Sequence, residues 1–330
     1  MIKTKIAGIG HYVPEKVVTN FDLMELMDTS NEWIIERSGI EKRHYVSPGQ
    51  GTSDLGVEAA RNAMQMAGVA AADIDLVICA TISSDYYFPG SAFQIQDKLG
   101  LGNIGVFDIK VACSGFIYGL SVADQFIKTG QYRNILLVGA EVQSNALNFS
   151  TEGRDMAVLF GDGAGAAILQ PSDDDSSILS THLHADGRYS KILWAELPSC
   201  VLNPHLSQEM LAEGRHYPQM NGREVFRNAI SRFPEVIGEA LTANGLSIAD
   251  VALIIPHQAN LRITQAVAKR LGVEMDQVYS NIHKYGNTTA ASIPIALSEA
   301  AAEGRIKRGD LLILASFGAG FSWGSAAIRW

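Results

Sequence analysis

The feature that most restricts what this chain can fold into is an internal duplication. AMQMAGVAAADIDLVICATIS (residues 63–83) and ALTANGLSIADVALIIPHQAN (240–260) read alike, each a helix-period stretch running into an apolar, strand-like one. KLGLGNIGVFDIKVACSG (98–115) matches RLGVEMDQVYSNIHKYGN (270–287), TGQYRNILLVGAE matches EGRIKRGDLLILASF, and FGDGAGAAIL matches FSWGSAAIRW. The register sets Asp75 opposite Asp250, Leu99 opposite Leu271, Asn134 opposite Asp310 and Cys113 opposite Asn287. Apolar runs alternate with helical ones in each copy, the pattern of a mainly parallel sheet covered by helices. The sequence therefore predicts two similar α/β halves, 1–172 and 173–330, meeting at the polar, acidic stretch QPSDDDSS. At 330 residues and 47% apolar composition, the chain can bury two cores of ordinary size. Residues 186–221 fit neither copy and read as an irregular excursion over a pocket.

Duplication also locates chemistry, because ligands of open α/β sheets bind beyond the carboxyl ends of the strands. Cys113 follows a strand-like segment and opens CSGFIYGLSVADQFIKTG; Asn287 does the same before NTTAASIPIALSEAAAEG. A cysteine at a helix start feels the positive end of the dipole, which favours the nucleophilic thiolate. Buried apolar packing is the ordinary fate of a free cysteine, and that is the expectation for Cys79, inside a strand, and for Cys200. His257, in PHQANLRI, ends a strand where its ring can project into a cleft. Asn287 alone could be a simple helix cap. Together, Cys, His and Asn in this order also describe a papain-like thiol hydrolase. The symmetric placement of Cys113 and Asn287 instead suits two groups aimed at one substrate atom.

Bulk properties exclude several classes. A net charge of −9 opposes general affinity for nucleic acid or anionic membrane. Three cysteines make no disulfide framework and suggest a reducing compartment, and the N-terminal MIKTKIAGIGHYVP lacks the apolar stretch of a secretory signal. A cytoplasmic protein is expected. GDGAG (161–165) runs into a strand rather than a helix, so it reads as a tight turn under the site instead of a phosphate loop. His182 and His184 have strand spacing without further ligands nearby in sequence, and no metal is expected.

VACSGF, PHQANLRI, YGNTTAAS, FGDGAGA and the C-terminal FGAGFSWGS, in this order over essentially the whole chain, resemble β-ketoacyl-acyl carrier protein synthase III, one of the thiolase-fold condensing enzymes. The resemblance implies a thiolase-like fold of duplicated α/β halves in five layers, α-β-α-β-α. It implies that Cys113 takes an acyl group from acyl-CoA and that His257 and Asn287 hold the enolate left when malonyl-acyl carrier protein loses carbon dioxide. It implies a second oxyanion site from the backbone N–H groups of Cys113 and Ala319; alanine stands there where relatives often carry glycine, acceptable if the loop's φ suits it. Trp33, Arg37 and Arg154 match a coenzyme A site, and Arg227, Arg262 and Lys269 a basic patch for the acidic carrier protein. Phe88 matches a residue crossing a homodimer interface to close the partner's acyl pocket, which Met220 also lines. No cofactor beyond the substrates is implied. Head-to-head condensation, quinolone or polyketide synthesis, simple acyl transfer and a non-catalytic partner share the framework. A hydroxymethylglutaryl-CoA synthase would need a glutamate at Ser83 to Asp85, where there is none.

Overall fold

The computed structural model describes residues 2–330. Strands β1 (Lys3–Tyr12), β2 (Leu76–Ala80), β3 (Gly105–Ile109), β4 (Ile135–Glu141) and β5 (Gly163–Ser172) form one sheet in the order β1-β5-β4-β2-β3. β6 (Ser177–Ala185), β7 (Leu253–Pro256), β8 (Leu311–Gly318) and β9 (Ser322–Arg329) form the other, ordered β7-β8-β9-β6. The central pairs β2–β3, β2–β4 and β7–β8 are parallel, and β5 and β9 run antiparallel to their neighbours. A single parallel bridge, Ile254 to Val278, stands in the second sheet where β3 stands in the first. The chain crosses from one sheet to the other over residues 173–176.

Strand side chains alternate between two cores, which explains why the strands read as unbroken apolar runs. Ile135 and Leu137 of β4 face inward with Leu76 and Ile78, and meet Leu253, Ile255, Leu312 and Leu314 of the second sheet around helices α4 (Gly115–Lys128) and α7 (Ser292–Ala302). Leu136 and Val138 face outward onto α2 (Thr52–Ala67) and α3 (Ser91–Leu99); Cys79 is buried on that face. Ile254, Leu311 and Ile313 face α5 (Gly222–Ala243) and α6 (Leu261–Leu271). Helices, sheet, helices, sheet, helices: the five layers follow from which residues of each strand are odd or even. Beside them, α1 (Asn31–Ser38) and the hairpin Lys16–Thr19/Lys42–Tyr45 pack with Phe160 and Ile282 around a smaller core.

The duplication holds, with a corrected register. α4 and α7 are each preceded by a 3-10 turn, Ala112–Ser114 and Thr289–Ala291, whose first residues both take left-handed φ, 45° at Ala112 and 50° at Thr289. The counterpart of Cys113 is therefore Ala290, and Asn287 lies upstream of that position. The shift arises because the second half inserts the helical turn Ile282–Tyr285 before the loop. Likewise Asp250 corresponds to Asp73 and not to Asp75, since Asp73 and Asp250 both close a capping box ahead of β2 and β7. α7 can approach the sheet because β4 has Gly139, where a Cβ would lie 2.5 Å from the carbonyl oxygen of Ala290. Loss of that side chain brings the two helix starts, and the residues ahead of them, to one place.

Candidate active site

A cavity of 590 Å³ has Cys113, His257 and Asn287 among its lining residues, together with Trp33, Arg37, Arg223 and Arg262. The first three are nearly inaccessible and form the floor; the arginines are exposed and mark the mouth. Leu193 and Met220, from the two-stranded ribbon of the 186–221 excursion, form part of its wall, so this irregular segment does cover a pocket.

Cys113 reaches the floor at the turn before α4. The backbone N–H groups of Ala319 and of Cys113 itself, anticipated as an oxyanion site, lie close enough to the sulfur to favour its thiolate. Ala319 is not among the residues with positive φ, so alanine is unstrained there. Gly318 makes the approach possible: a Cβ on it would lie 2.5 Å from the Cys113 Cβ and 3.0 Å from its sulfur. The surroundings of Cys113 act against the acidifying pull of the helix start. Burial, and then the Glu141 carboxylate, push the Cys113 thiol up to about 12, and the two N–H groups only partly offset this.

His257 follows β7, its backbone N–H held by the Ala315 carbonyl at 2.8 Å. Burial pushes the imidazole down to about 3, so it is neutral. Its Nδ1 lies 2.5 Å from the Ser292 hydroxyl, which also accepts the Gln258 N–H at 3.3 Å. Among the described residues the Ser292 hydroxyl has no acceptor for its proton other than Nδ1, an arrangement that leaves the imidazole proton on Nε2. Nε2 is buried without a partner among the described residues. It is a donor waiting for an acceptor in the cavity.

Asn287 is fixed at three points. Its backbone N–H donates to the Leu159 carbonyl at 2.8 Å, its carbonyl accepts from Gly161 at 3.1 Å, and its side-chain oxygen accepts the Thr289 N–H at 2.9 Å. The last bond leaves the amide NH₂ to face the cavity, so Asn287 is a second neutral donor. GDGAG is thus the turn that seats Asn287: the Asp162 carboxylate beside it gathers the N–H groups of Val46, Gln143 and Ser144. Two neutral donors without a cation suit an anion that forms and disappears during reaction, since neither must be desolvated to meet it.

At the mouth the structure brings together the residues expected to meet coenzyme A. The Arg37 and Arg154 guanidinium carbons lie 5.8 and 5.2 Å from the Trp33 ring centre, cation–π distances. Arg37 lines the cavity; Arg154 stands outside the wall, donating to the Asp28 carbonyl at 2.6 Å. Arg227 and Lys269 are exposed on the adjoining helices α5 and α6, and Arg262 packs over Phe226 at the rim. Phe88 is not core: it is 79% exposed, beside exposed Tyr86 and Tyr87, and does not reach this chain's own cavity. His182 and His184 face Glu239 at 3.3 and 2.6 Å, and His184 stacks on Trp323.

Sequence reasoning missed Arg223, Ser292 and Glu141. Arg223 follows Gly222 at the start of α5 and adds a cation to the mouth. Ser292 was readable within YGNTTAAS only as a small helix-start residue. Glu141 ends β4 among apolar residues, and its carboxylate accepts from Ser83 at 2.6 Å, in the very segment where no glutamate occurs in sequence.

A duplicated five-layered fold with a thiol, a neutral imidazole and an amide on one cavity floor defines the thiolase-fold condensing enzymes. Within that class the chain belongs to the 3-oxoacyl-[acyl-carrier-protein] synthase III family. Residues 107–187 match the family description 3-Oxoacyl-[acyl-carrier-protein (ACP)] synthase III, and residues 241–330 its C-terminal counterpart. The chain is 46% identical over 332 residues to a beta-ketoacyl-[acyl-carrier-protein] synthase III of Xanthomonas campestris pv. campestris, covering 100% of this chain and 99% of the relative. It superposes with a TM-score of 0.91 on the 3-oxoacyl-[acyl-carrier-protein] synthase III of Aquifex aeolicus VF5, at 42% identity, covering 99% of this chain and 100% of that one. The priming beta-ketosynthase of the R1128 polyketide pathway is also similar, at 33% identity and a TM-score of 0.90, over 99% of this chain and 96% of that one. The chain is accordingly an acyltransferase of the condensing type.

Proposed function

We propose that this protein loads an acyl group from acyl-CoA onto Cys113 and condenses it with malonyl-acyl carrier protein, releasing carbon dioxide and a β-ketoacyl-acyl carrier protein. The observation that carries this reading is the convergence of the Cys113 thiol, the free Nε2 of His257 and the free amide of Asn287 on one cavity. The halves 1–172 and 173–330 divide the work, one supplying the nucleophile and the other the two donors.

In loading, the Cys113 sulfur attacks the acyl-CoA carbonyl. The tetrahedral oxyanion rests on the N–H groups of Cys113 and Ala319, and coenzyme A leaves with the thiol's proton. In condensation, the malonyl carboxylate departs as carbon dioxide, and its bonding pair becomes an enolate whose oxygen accepts from His257 Nε2–H and Asn287 Nδ2–H. The enolate carbon attacks the acyl-cysteine carbonyl. Collapse of that second tetrahedral intermediate expels the Cys113 thiolate, which takes up one proton. Neutral donors suit the enolate step, because a cationic histidine would bind the malonyl carboxylate itself and stabilise the ground state.

Trp33, Arg37 and Arg154 hold the nucleotide end of coenzyme A, with Arg223 in support; Arg227, Arg262 and Lys269 meet the carrier protein. Exposed Phe88, Tyr86, Tyr87 and Phe93 make an apolar patch of the kind that oligomerisation buries, favouring a homodimer in which Phe88 and Met220 bound the acyl pocket. No helix is long and apolar enough to cross a membrane among the described residues. A cytoplasmic enzyme without a resident cofactor fits this chemistry. Intact-protein mass spectrometry after incubation with acyl-CoAs of two to twelve carbons tests the proposal: an acyl adduct on the Cys113 peptide, discharged by malonyl-acyl carrier protein, is expected. No adduct on Cys113 with any primer would sink it.

A further inference from the structure

His257 and Asn287 stand on different segments, and one buried side chain joins them. His257 leaves β7, whereas Asn287 ends a run that passes through residues 278–281 and the turn Ile282–Tyr285. In the first sheet the corresponding neighbours, β2 and β3, pair over five residues, Leu76–Ala80 with Gly105–Ile109. In the second sheet that pairing shrinks to the bridge of Ile254 with Val278, where the Tyr279 N–H donates to the Ile254 carbonyl at 2.9 Å. The next rung of a regular parallel ladder falls on Pro256, whose N–H would donate to the Tyr279 carbonyl and whose carbonyl would accept the Asn281 N–H. Proline has no N–H, and the ladder cannot continue through the backbone.

The Gln258 side chain makes the missing rung. Its Nε2 donates to the Tyr279 carbonyl at 3.2 Å, and its Oε1 accepts the Asn281 N–H at 3.1 Å. The second Nε2 proton goes to the Pro256 carbonyl at 2.7 Å, and Oε1 also accepts from the Ser280 hydroxyl at 3.1 Å. Two donors and two acceptor sites are thereby all in use on a buried amide. Carbonyls on one side and a backbone N–H on the other admit a single orientation of that amide. The Gln258 backbone N–H meets the Ser292 hydroxyl, the group that sets the His257 tautomer, at 3.3 Å. Glu299 also grips the run to Asn287, taking the Asn281 amide and the Tyr285 hydroxyl at 2.7 Å each. Glu299 lies on α7, however, and fixes the turn to that helix; the register against β7 is left to Gln258.

We propose that Gln258 is a positioning residue of the condensation: its side-chain amide stands in for the peptide group that Pro256 lacks, locks residues 279–281 to the end of β7, and so fixes the spacing between His257 Nε2 and the Asn287 amide. The inference rests on the reading of those two groups as donors to the enolate. One enolate oxygen has to lie within hydrogen-bond reach of both, and a misplacement of about 1 Å is enough to cost about 100-fold in rate. The N–H groups of Cys113 and Ala319 belong to other segments, so loading does not depend on this link.

The test compares acylation of Cys113, followed by mass spectrometry, with single-turnover carbon dioxide release from malonyl-acyl carrier protein by enzyme already acylated. Gln258→Met keeps the length of the side chain and removes all four hydrogen bonds; carbon dioxide release should fall about 10- to 100-fold while loading stays near the wild-type rate. In a His257→Ala background one donor is already gone and no spacing remains to be set, so the same substitution should cost less than about three-fold. Should Gln258→Met fail to fold, Gln258→Glu carries the same comparison: it preserves the shape and can offer one donor at most, and should show the same split at reduced size. A folded variant that releases carbon dioxide at the wild-type rate, an equal fall in loading and release, or an undiminished cost in the His257→Ala background overturns the assignment. Failure of the condensing reading itself shows separately, as a wild type that neither acylates Cys113 nor releases carbon dioxide.

Discussion

Replacing Ser292 with alanine deletes one hydroxyl and isolates the tautomer of His257. In the native site that hydroxyl lies 2.5 Å from Nδ1, the one acceptor its proton has among the described residues, so Nε2 carries the imidazole proton. Without it, the buried ring has no partner that favours one tautomer, and the form with the proton on Nδ1 turns a lone pair toward the enolate. A hydrogen bond between neutral groups contributes about 1 kcal/mol, or about a five-fold loss of rate if the whole preference is expressed in the transition state. The loss should fall on decarboxylation, measured as single-turnover carbon dioxide release by enzyme already acylated on Cys113. Loading should be spared, because the Cys113 and Ala319 N–H groups serve that step. His257→Ala gives the scale: it removes the donor altogether and should cost about 100- to 1,000-fold in the same assay. Ser292→Ala also strips the buried Gln258 N–H of an acceptor, lowering stability by about 1–2 kcal/mol in urea unfolding. Unchanged carbon dioxide release, or an equal fall in loading and decarboxylation, would refute the assignment of Ser292 to the histidine.

Gly318→Ala should load poorly, because its Cβ would crowd the Cys113 side chain and amide; acylation by mass spectrometry should drop at least about ten-fold, with a loss of stability of about 1–3 kcal/mol from overpacking. Trp33→Ala should raise KM for acyl-CoA several-fold, through loss of two cation–π contacts of about 0.5–1 kcal/mol each, and leave turnover of acyl-pantetheine, which lacks the nucleotide, unaffected. His257 should shape the acid limb of stability: its folded pKa, near 3, lies below the unfolded value of 6.5, so its contribution is complete above pH 6.5 and is lost as pH falls toward 3. His257→Gln should therefore lose less stability than wild type between those pH values in denaturant titrations, and parallel curves would contradict the burial argument. Arg262→Glu should impair turnover with malonyl-acyl carrier protein more than with malonyl-CoA, since a charge at the rim acts on encounter with the acidic partner.

Much of this molecule was legible in one dimension. The duplication announced two α/β halves, because a repeated helix–strand period can bury its apolar faces only by stacking one sheet against the other. Leu76, Val77, Ile78 and Cys79 read as an unbroken apolar run because both faces of β2 are covered; Cys79 was correctly left to the core, whereas Cys200, read the same way, is exposed beside Tyr87. The trio Cys113, His257 and Asn287 was legible because each stands at a strand end or just before a helix, where the fold aims its side chains. The paired register was read wrongly at Asn287, since the turn Ile282–Tyr285 has no counterpart in the first half and local similarity cannot reveal where an insertion falls.

What only the tertiary structure decided depends on contacts between distant segments. Glu141 and Ser83 are far apart in sequence, yet meet because β2 and β4 are adjacent; Ser292 reaches His257 because α7 lies between the two sheets. The Cys113 thiol shows the same division. Sequence placed it at a helix start and so predicted an acidic sulfur, but ionisation answers to the surrounding medium, and packing removed the water while setting a carboxylate nearby. The pattern of residues determined where strands, helices and reactive side chains fall along the chain. Burial and the meeting of distant side chains determined their protonation and orientation, because electrostatic energies depend on the dielectric and distances that exist only once the layers have packed.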